Sequence, residues 1–129
     1  MKNIITLSEF RDGFYKMGRE NQFSYEALET MFDYYEEMEN ECGIEIEYDV
    51  IAFCCEWTEY EPEELYNDYR YIYNFDEWME ENGDIYTPEE KEDGEPFDDF
   101  ITGDFMEEIE QYTTILKVKR NTTYLVMNF

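Results

Sequence analysis

Carboxylates on one face of a predicted helix are the residues of this chain with the most definite chemistry. Residues 24–43 have helical spacing, with an acidic stripe opposite an apolar stripe at about 100° per residue. The acidic stripe comprises Glu26, Glu29, Asp33, Glu36 and Glu37. The apolar stripe comprises Leu28, Met31, Phe32, Tyr35, Met38 and Cys42. Like charges at i,i+4 cost about 0.2–0.5 kcal/mol per pair, so this row indicates either recognition of a cationic surface or a solvated face.

Nucleophilic catalysis lacks its usual side chains in this sequence. The chain has no histidine, and its two serines, Ser8 and Ser24, are both predicted to cap helices. Ser-His and Cys-His arrangements are therefore excluded, together with the commonest general base. With 35 acids in 129 residues, a glycosidase-like carboxylate pair would occur at any chosen distance by chance. We predict that the protein is not an enzyme.

No cofactor and no metal site are predicted. The glycine contexts do not fit a calcium-binding loop, and there is no phosphate-binding glycine loop. The cysteines are odd in number and indicate neither a disulfide framework nor a metal cluster; they are Cys42, Cys54 and Cys55. Since neither a signal peptide nor a membrane span is visible, we expect the protein in the reducing cytoplasm of a host cell.

Charge is distributed unevenly along the chain. The formal net charge is −26, and residues 20–112 contain 33 acids against two bases, Arg70 and Lys91. Residues 1–19 carry a net charge of +2 and residues 113–129 a net charge of +3. Such a field repels nucleic acid and attracts basic protein surfaces. We therefore expect a basic protein as partner, with no direct contact to nucleic acid or membrane.

The pattern of elements predicts an α+β fold in a single domain over residues 1–129. Three antiparallel strands are predicted, the last two as a C-terminal hairpin, at residues 44–54, 113–119 and 123–128. Helices are predicted to pack against this sheet at residues 8–17, 24–42, 62–67, 75–81 and 100–112. Residues 80–99 contain ten acids, two prolines and two glycines, which predicts an acidic loop or a partly ordered arm.

The first predicted strand adds a second row of acids to the helix face. Alternation places Glu45, Glu47 and Asp49 on one wet face at about 6.6 Å intervals, before the apolar run VIAFCC. Duplex DNA presents one charge per about 1.7 Å of axis, in two rows that each advance about 3.4 Å per phosphate. The five helix acids span about 16 Å. With Glu59 and Tyr60, these carboxylates are predicted to occupy a groove lined by Arg and Lys.

Tyrosines between the acids suit an interface, because aromatic rings supply contact area without adding charge. We expect about half of them in the core and the rest at the contact surface; they are Tyr34, Tyr48, Tyr60, Tyr66, Tyr69, Tyr71 and Tyr73. A rigid helix loses little entropy on binding, whereas a flexible arm must be immobilised at about 1–2 kcal/mol per residue. The helix acids are therefore preferred over those of residues 89–99 as the contact surface.

Three segments carry a resemblance to a known class of proteins. FSYEALETMFDYYEE, IEIEYDVIAFCCEWTEYE and TTILKVKRNTTYLVMNF resemble small acidic proteins of phages and mobile elements, of the DNA-mimicking anti-restriction and anti-CRISPR type. The likeness covers residues 22–62 and 112–129. It implies an inhibitor that occupies the DNA-binding surface of a bacterial defence nuclease, such as a restriction enzyme or a Cas9-type effector.

Two other functions stay open at this point. One is an acidic module that binds another basic protein, such as a toxin nuclease or a regulator, without competing with DNA. The other is a structural or assembly protein of a virus, in which the charge serves solubility. A homodimer also stays open.

Overall fold

The computed structural model describes residue 1 and residues 6–129, and this part of the chain forms an α+β fold, as predicted. Its α-helices are α1 Leu7–Lys16, α2 Tyr25–Cys42, α3 Val50–Glu56, α4 Pro62–Tyr69, α5 Phe75–Asn82, α6 Pro88–Glu92, α7 Glu95–Thr102 and α8 Asp104–Glu110. A 3-10 turn spans Gly83–Ile85. The strands are β1 Trp57–Tyr60, β2 Ile115–Lys117 and β3 Tyr124–Met127, and they form one antiparallel sheet in the order β1-β3-β2.

Internal packing divides the chain into two compact units. The first unit comprises Met1–Glu59 and Leu116–Asn128, and the second comprises Tyr60–Ile115 and Phe129. The single domain expected from the sequence stays a prediction. Each unit has fully buried aromatic rings of its own, Phe10 and Phe14 in the first and Phe100 and Phe105 in the second.

In the first unit, α2 has the ends and the buried face that its sequence predicts. The Ser24 hydroxyl accepts the Ala27 N–H at 3.1 Å, and Gly43 ends the helix in the left-handed region at φ 65°. The buried stripe includes Leu28, Met31 and Tyr35. Cys42, predicted on the same stripe, is exposed because it is the last residue of the helix.

The N-cap predicted for α1 is wrong by two residues. Thr6, rather than Ser8, accepts the Glu9 N–H through its hydroxyl, at 3.1 Å. Either residue type is a good cap, so the sequence pattern did not distinguish them. Phe10 and Phe14 are buried from this helix, whereas Met17, predicted on the same face, is exposed just after its end.

The strand predicted at residues 44–54 is not formed. Residues 44–49 have no regular secondary structure, and the apolar run lies in α3, where Asp49 accepts the Ala52 N–H at 3.1 Å as N-cap. A short apolar run does not distinguish a buried strand from a buried helix. Helical spacing in α3 buries Val50 and Phe53 in the core, and Trp57, the first residue of β1, is buried with them. The third strand of the sheet is β1, directly after α3.

The predicted C-terminal hairpin is formed, with shorter strands than expected. β2 and β3 are neighbours in the sheet, and the Val118 N–H donates to the Thr123 carbonyl at 3.0 Å beside the turn. β3 is the central strand, and its Leu125 and Val126 are buried. The hairpin turn therefore carries the basic residues Lys119 and Arg120 between two strands held by the core.

The second unit is built from short helices around one ring. Phe100 has no exposed surface, and five aromatic rings surround it at centroid distances between 5.2 and 5.8 Å. These rings belong to Tyr66, Tyr73, Phe75, Trp78 and Phe105. They come from α4, α5, α8 and the segment that precedes α5.

The acidic loop predicted at residues 80–99 is helical over most of its length. It contains the end of α5, the 3-10 turn, α6 and the start of α7. Pro88 and Pro96 lie in the first turns of α6 and α7. A proline is tolerated there because the N–H groups of the first turn have no hydrogen-bond partner within the helix. Gly94 separates the two helices with φ 80°. The prolines and the glycine mark helix boundaries here, not a loop. Similarly, the helix predicted at residues 100–112 is divided at Gly103 into α7 and α8.

Candidate partner-binding surface

The five acids predicted on α2 share a face, but four of them are only half-exposed. Glu37 is exposed, whereas the other four are half-buried; these are Glu26, Glu29, Asp33 and Glu36. The prediction that these five acids lie on one face of α2 is therefore correct. Its accessibility is lower than an isolated helix would suggest, because other segments of the first unit lie against it.

Two of these acids are paired with the turn of the C-terminal hairpin. Lys119 forms an ion pair with Asp33, and Arg120 forms one with Glu29. The hydrogen bond from Lys119 to Asp33 is the main cause that raises the pKa of the lysine, and the Asp33 and Glu29 charges add to it. Two of the five negative charges are thus compensated within the chain.

A third acid on this face lies near the N-terminal ammonium. The ammonium of Met1 is 3.8 Å from a Glu36 oxygen and 2.6 and 2.8 Å from the two oxygens of Glu39. Glu39 also accepts the Ile46 N–H at 3.0 Å. The hydrogen bond from the ammonium, with that from Ile46, lowers the pKa of Glu39. Sequence reasoning missed Glu39, because nothing local marks it as the partner of the chain terminus.

Three further acids, predicted on a strand, lie elsewhere than expected. Glu45, Glu47 and Asp49 are exposed, but the segment that carries them is not a strand. The predicted 6.6 Å spacing therefore does not apply, and Asp49 serves as the cap of α3. These residues remain an acidic surface without the regular row of the prediction.

Glu59 and Tyr60 make internal contacts. The Glu59 carboxylate accepts the Ser24 N–H at 2.7 Å, the Ser24 hydroxyl at 2.7 Å and the Thr123 hydroxyl at 2.5 Å. Such a carboxylate holds the start of α2 and the hairpin together. The Tyr60 hydroxyl donates to an Asp68 oxygen at 2.9 Å. Burial, with the Asp68 hydrogen bond, raises the pKa of Tyr60.

The second unit carries most of the charge. Tyr60–Ile115 contain 20 acids and two bases, Arg70 and Lys91, so they account for −18 of the net charge of −26. Eighteen of these 20 acids are exposed, in contrast to one of five on the α2 face. The accessible carboxylates of the chain are therefore concentrated on the short helices of the second unit.

Two aromatic side chains of the second unit donate hydrogen bonds to carboxylates of this acidic surface. The Trp78 Nε1–H donates to Asp104 at 2.6 Å, and the Tyr86 hydroxyl donates to Asp99 at 2.7 Å. The bond to Asp99 is the main cause that raises the pKa of Tyr86 to about 12. Burial raises the pKa of Tyr73, and four nearby carboxylates add to that effect. The negative field therefore acts on groups within this unit.

Comparisons with protein-family models, with curated proteins and with solved structures found no match for this chain.

Neither a metal centre nor a membrane helix is found in the part of the chain that the structure describes. Over residue 1 and residues 6–129, no three His, Cys, Asp or Glu side chains are grouped in a way that could hold a metal ion. No helix of the same residues is long and apolar enough to cross a membrane.

Proposed function

We propose that this protein is a non-catalytic inhibitor that imitates DNA and occupies the basic DNA-binding groove of a bacterial defence nuclease, such as a restriction enzyme or a Cas9-type effector. The observation that carries this proposal is the exposure of 18 of the 20 acids of the second unit. A groove that binds phosphates with Arg and Lys attracts such a surface for the same electrostatic reason. The resemblance of residues 22–62 and 112–129 to anti-defence proteins supports the choice of target class.

We assign the main contact to the acids of the second unit, in preference to those of α2. The sequence favoured α2 because a flexible arm would lose entropy on binding. That reason no longer applies, since residues 80–99 are mostly helical around a buried aromatic core. On α2, by contrast, Asp33 and Glu29 are already paired with the hairpin.

The test is displacement of labelled duplex DNA from purified Cas9-type and restriction nucleases by the wild-type protein. Two variants with equal charge change then locate the surface. One replaces Glu89, Glu90 and Glu92 of α6 by Gln. The other replaces Glu26, Glu36 and Glu37 of α2 by Gln. We expect the α6 variant to inhibit about tenfold more weakly, equivalent to ~1.4 kcal/mol, and the α2 variant to lose less.

Three outcomes would count against the proposal. A complex of inhibitor, nuclease and DNA with unchanged DNA affinity would exclude mimicry and favour an acidic module that binds outside the groove. A larger loss of inhibition in the α2 variant would mean that the acids of α2 form the main contact surface. An association rate independent of salt would show that charge does not steer binding, since charges are screened beyond about 8 Å at physiological ionic strength.

A further inference from the structure

Four aromatic side chains of the second unit meet at the surface around Tyr69. The Tyr69 ring stacks on Phe129, with centroids 4.6 Å apart and 18° between the ring planes. It also contacts the rings of Tyr71 at 6.2 Å and Tyr60 at 6.5 Å. We call Tyr60, Tyr69, Tyr71 and Phe129 the Tyr69 cluster. Tyr71 is 78% exposed and Phe129 48% exposed, so this is aromatic surface that water covers.

The Tyr69 cluster is separate from the aromatic core of its unit. The core rings surround Phe100, which is fully buried, whereas every member of the Tyr69 cluster is half-buried or exposed. Tyr60 is fixed at one edge by its hydrogen bond to Asp68. An aromatic group held in place at the surface is typical of an interaction site, since it contributes little to the core and leaves apolar area in water.

Charge decides between the possible occupants of this cluster. Bases of nucleic acid can stack on aromatic rings, but phosphates are repelled by a unit with a net charge of −18. A second copy of the chain would bring another −26. A cationic segment is attracted by the field and also by the negative faces of the rings. Asp68 places a carboxylate at the edge of the cluster, where it can pair with such a cation.

Among the residues that the structure describes, no cation of the chain itself lies over these rings. Within the described residues, the cation–π contacts are those of Arg11 with Tyr25 and of Lys117 with Tyr124. Arg70 follows Tyr69 in the sequence and is exposed, and it makes neither of these two cation–π contacts. The exposed faces of Tyr71 and Phe129 are therefore open to a cation from a partner.

We propose that the Tyr69 cluster is a docking surface for an arginine-bearing segment of the basic partner protein. The planar guanidinium group of an arginine stacks on an exposed ring of the cluster, Tyr71 or Phe129, and Asp68 pairs with its charge. Arginine is favoured over lysine because its flat, weakly hydrated cation stacks on aromatic rings. This inference rests on the proposed function, since it takes the partner to be the basic protein that the acidic surface attracts. The aromatic rings would let the protein recognise arginine by stacking, which carboxylates alone cannot do.

The experiment uses an oligoarginine peptide and an oligolysine peptide of equal length as probes. The variant Tyr71→Leu/Phe129→Leu removes both exposed rings, leaves an apolar side chain at each position and keeps the net charge. The matched control is Tyr15→Leu/Tyr112→Leu, which changes two exposed tyrosines outside the cluster. We expect the cluster variant to bind oligoarginine about five- to thirtyfold more weakly and oligolysine with a smaller loss, while the control binds as the wild type does.

A second measurement on the wild-type protein does not depend on how the variants fold. Ring currents should shift the side-chain proton resonances of bound oligoarginine upfield, and the rings of Tyr71 and Phe129 should show the reciprocal changes. Absence of these shifts in a saturated complex, or an equal loss of affinity in the cluster and control variants, overturns the proposal. The proposal is also overturned if the wild-type protein binds a single-stranded oligonucleotide, or associates with itself, and only the cluster variant loses that binding.

The two proposals fail in different readouts. If the cluster variant keeps its affinity for oligoarginine while wild-type protein displaces DNA from a nuclease, the docking surface is wrong and the mimicry stands. If oligoarginine binding depends on the cluster but no nuclease releases its DNA, the docking surface stands and the mimicry is wrong.

Discussion

Lys119 pairs with Asp33 across 86 positions of the sequence, and this contact joins the hairpin turn to the acidic face of α2. The backbone N–H of Lys119 also donates to the Thr30 hydroxyl at 3.1 Å. Arg120, which pairs with Glu29 one helical turn before Asp33, has φ 55° in the left-handed region. Basic residues near the C-terminus thus cover part of the surface that the sequence marked as the most anionic.

Breaking the ion pair between Lys119 and Asp33 should leave the Asp33 carboxylate unpaired but should change the stability of the protein little. We expect Lys119→Gln to lower the free energy of unfolding by less than about 1 kcal/mol, because exposed ion pairs contribute little. Lys16→Gln, which removes the same charge elsewhere in the first unit, is the control. Urea unfolding measures both. A loss of several kcal/mol in Lys119→Gln alone would mean that the hairpin depends on this pair.

Glu59 should act through stability and not through partner binding. Its carboxylate accepts three hydrogen bonds, so in Glu59→Gln the amide nitrogen would face a donor. We expect the free energy of unfolding to fall by about 1–3 kcal/mol, measured by urea denaturation. Glu37→Gln, an exposed acid on α2, should change it by less than about 0.5 kcal/mol. Equal stability of the two variants would restore Glu59 as a candidate contact residue.

Glu39 should give the first unit a specific dependence on acid. Its pKa is lowered by the hydrogen bond from the N-terminal ammonium, and by that from Ile46. A carboxyl with a folded pKa below its unfolded value stabilises the fold above the unfolded pKa, and this contribution is lost as the pH falls through the folded pKa. We therefore expect Glu39→Gln to be less stable than the wild type at neutral pH.

The difference between Glu39→Gln and the wild type should shrink as the pH falls below 4.5, the ordinary pKa of the group. Protonation of the other carboxylates relieves repulsion in both proteins alike, so the comparison isolates Glu39. Unfolding in urea across this pH range measures the difference. A constant difference at every pH would contradict the linkage to Glu39 ionisation.

Gly13 should be a helical glycine at which alanine destabilises the protein. Alanine normally stabilises a helix interior by about 1 kcal/mol relative to glycine. Here a Cβ would overlap the hydroxyl and ring of Tyr48, whose hydroxyl donates to the Phe10 carbonyl at 2.6 Å. We expect Gly13→Ala to lower the free energy of unfolding by about 1–3 kcal/mol. The cost should shrink or reverse in a Tyr48→Leu background, and thermal unfolding of the four proteins tests this. An equal cost in both backgrounds would exclude Tyr48 as the cause.

Local features of the fold were predictable because their causes lie within a few residues. The ends of α2 follow from Ser24 and Gly43, the start of α4 follows from Pro62, and the C-terminal hairpin follows from two β-prone runs around a turn. For the apolar run after Asp49, the local sequence did not decide between a strand and a helix. Its length suits a buried strand or a buried helix, and only packing around Phe53 selects the helix.

The sequence by itself determined how much charge the protein carries, which catalytic groups it lacks and where several of its helices begin and end. Only the tertiary structure decided which carboxylates remain accessible. That outcome depends on contacts such as Lys119 with Asp33 and Ser24 with Glu59, between residues far apart in the chain. It also depends on the rings around Phe100, which hold the acids of residues 80–99 on helices. Local periodicity does not encode such contacts, because they form only when the core brings distant segments together.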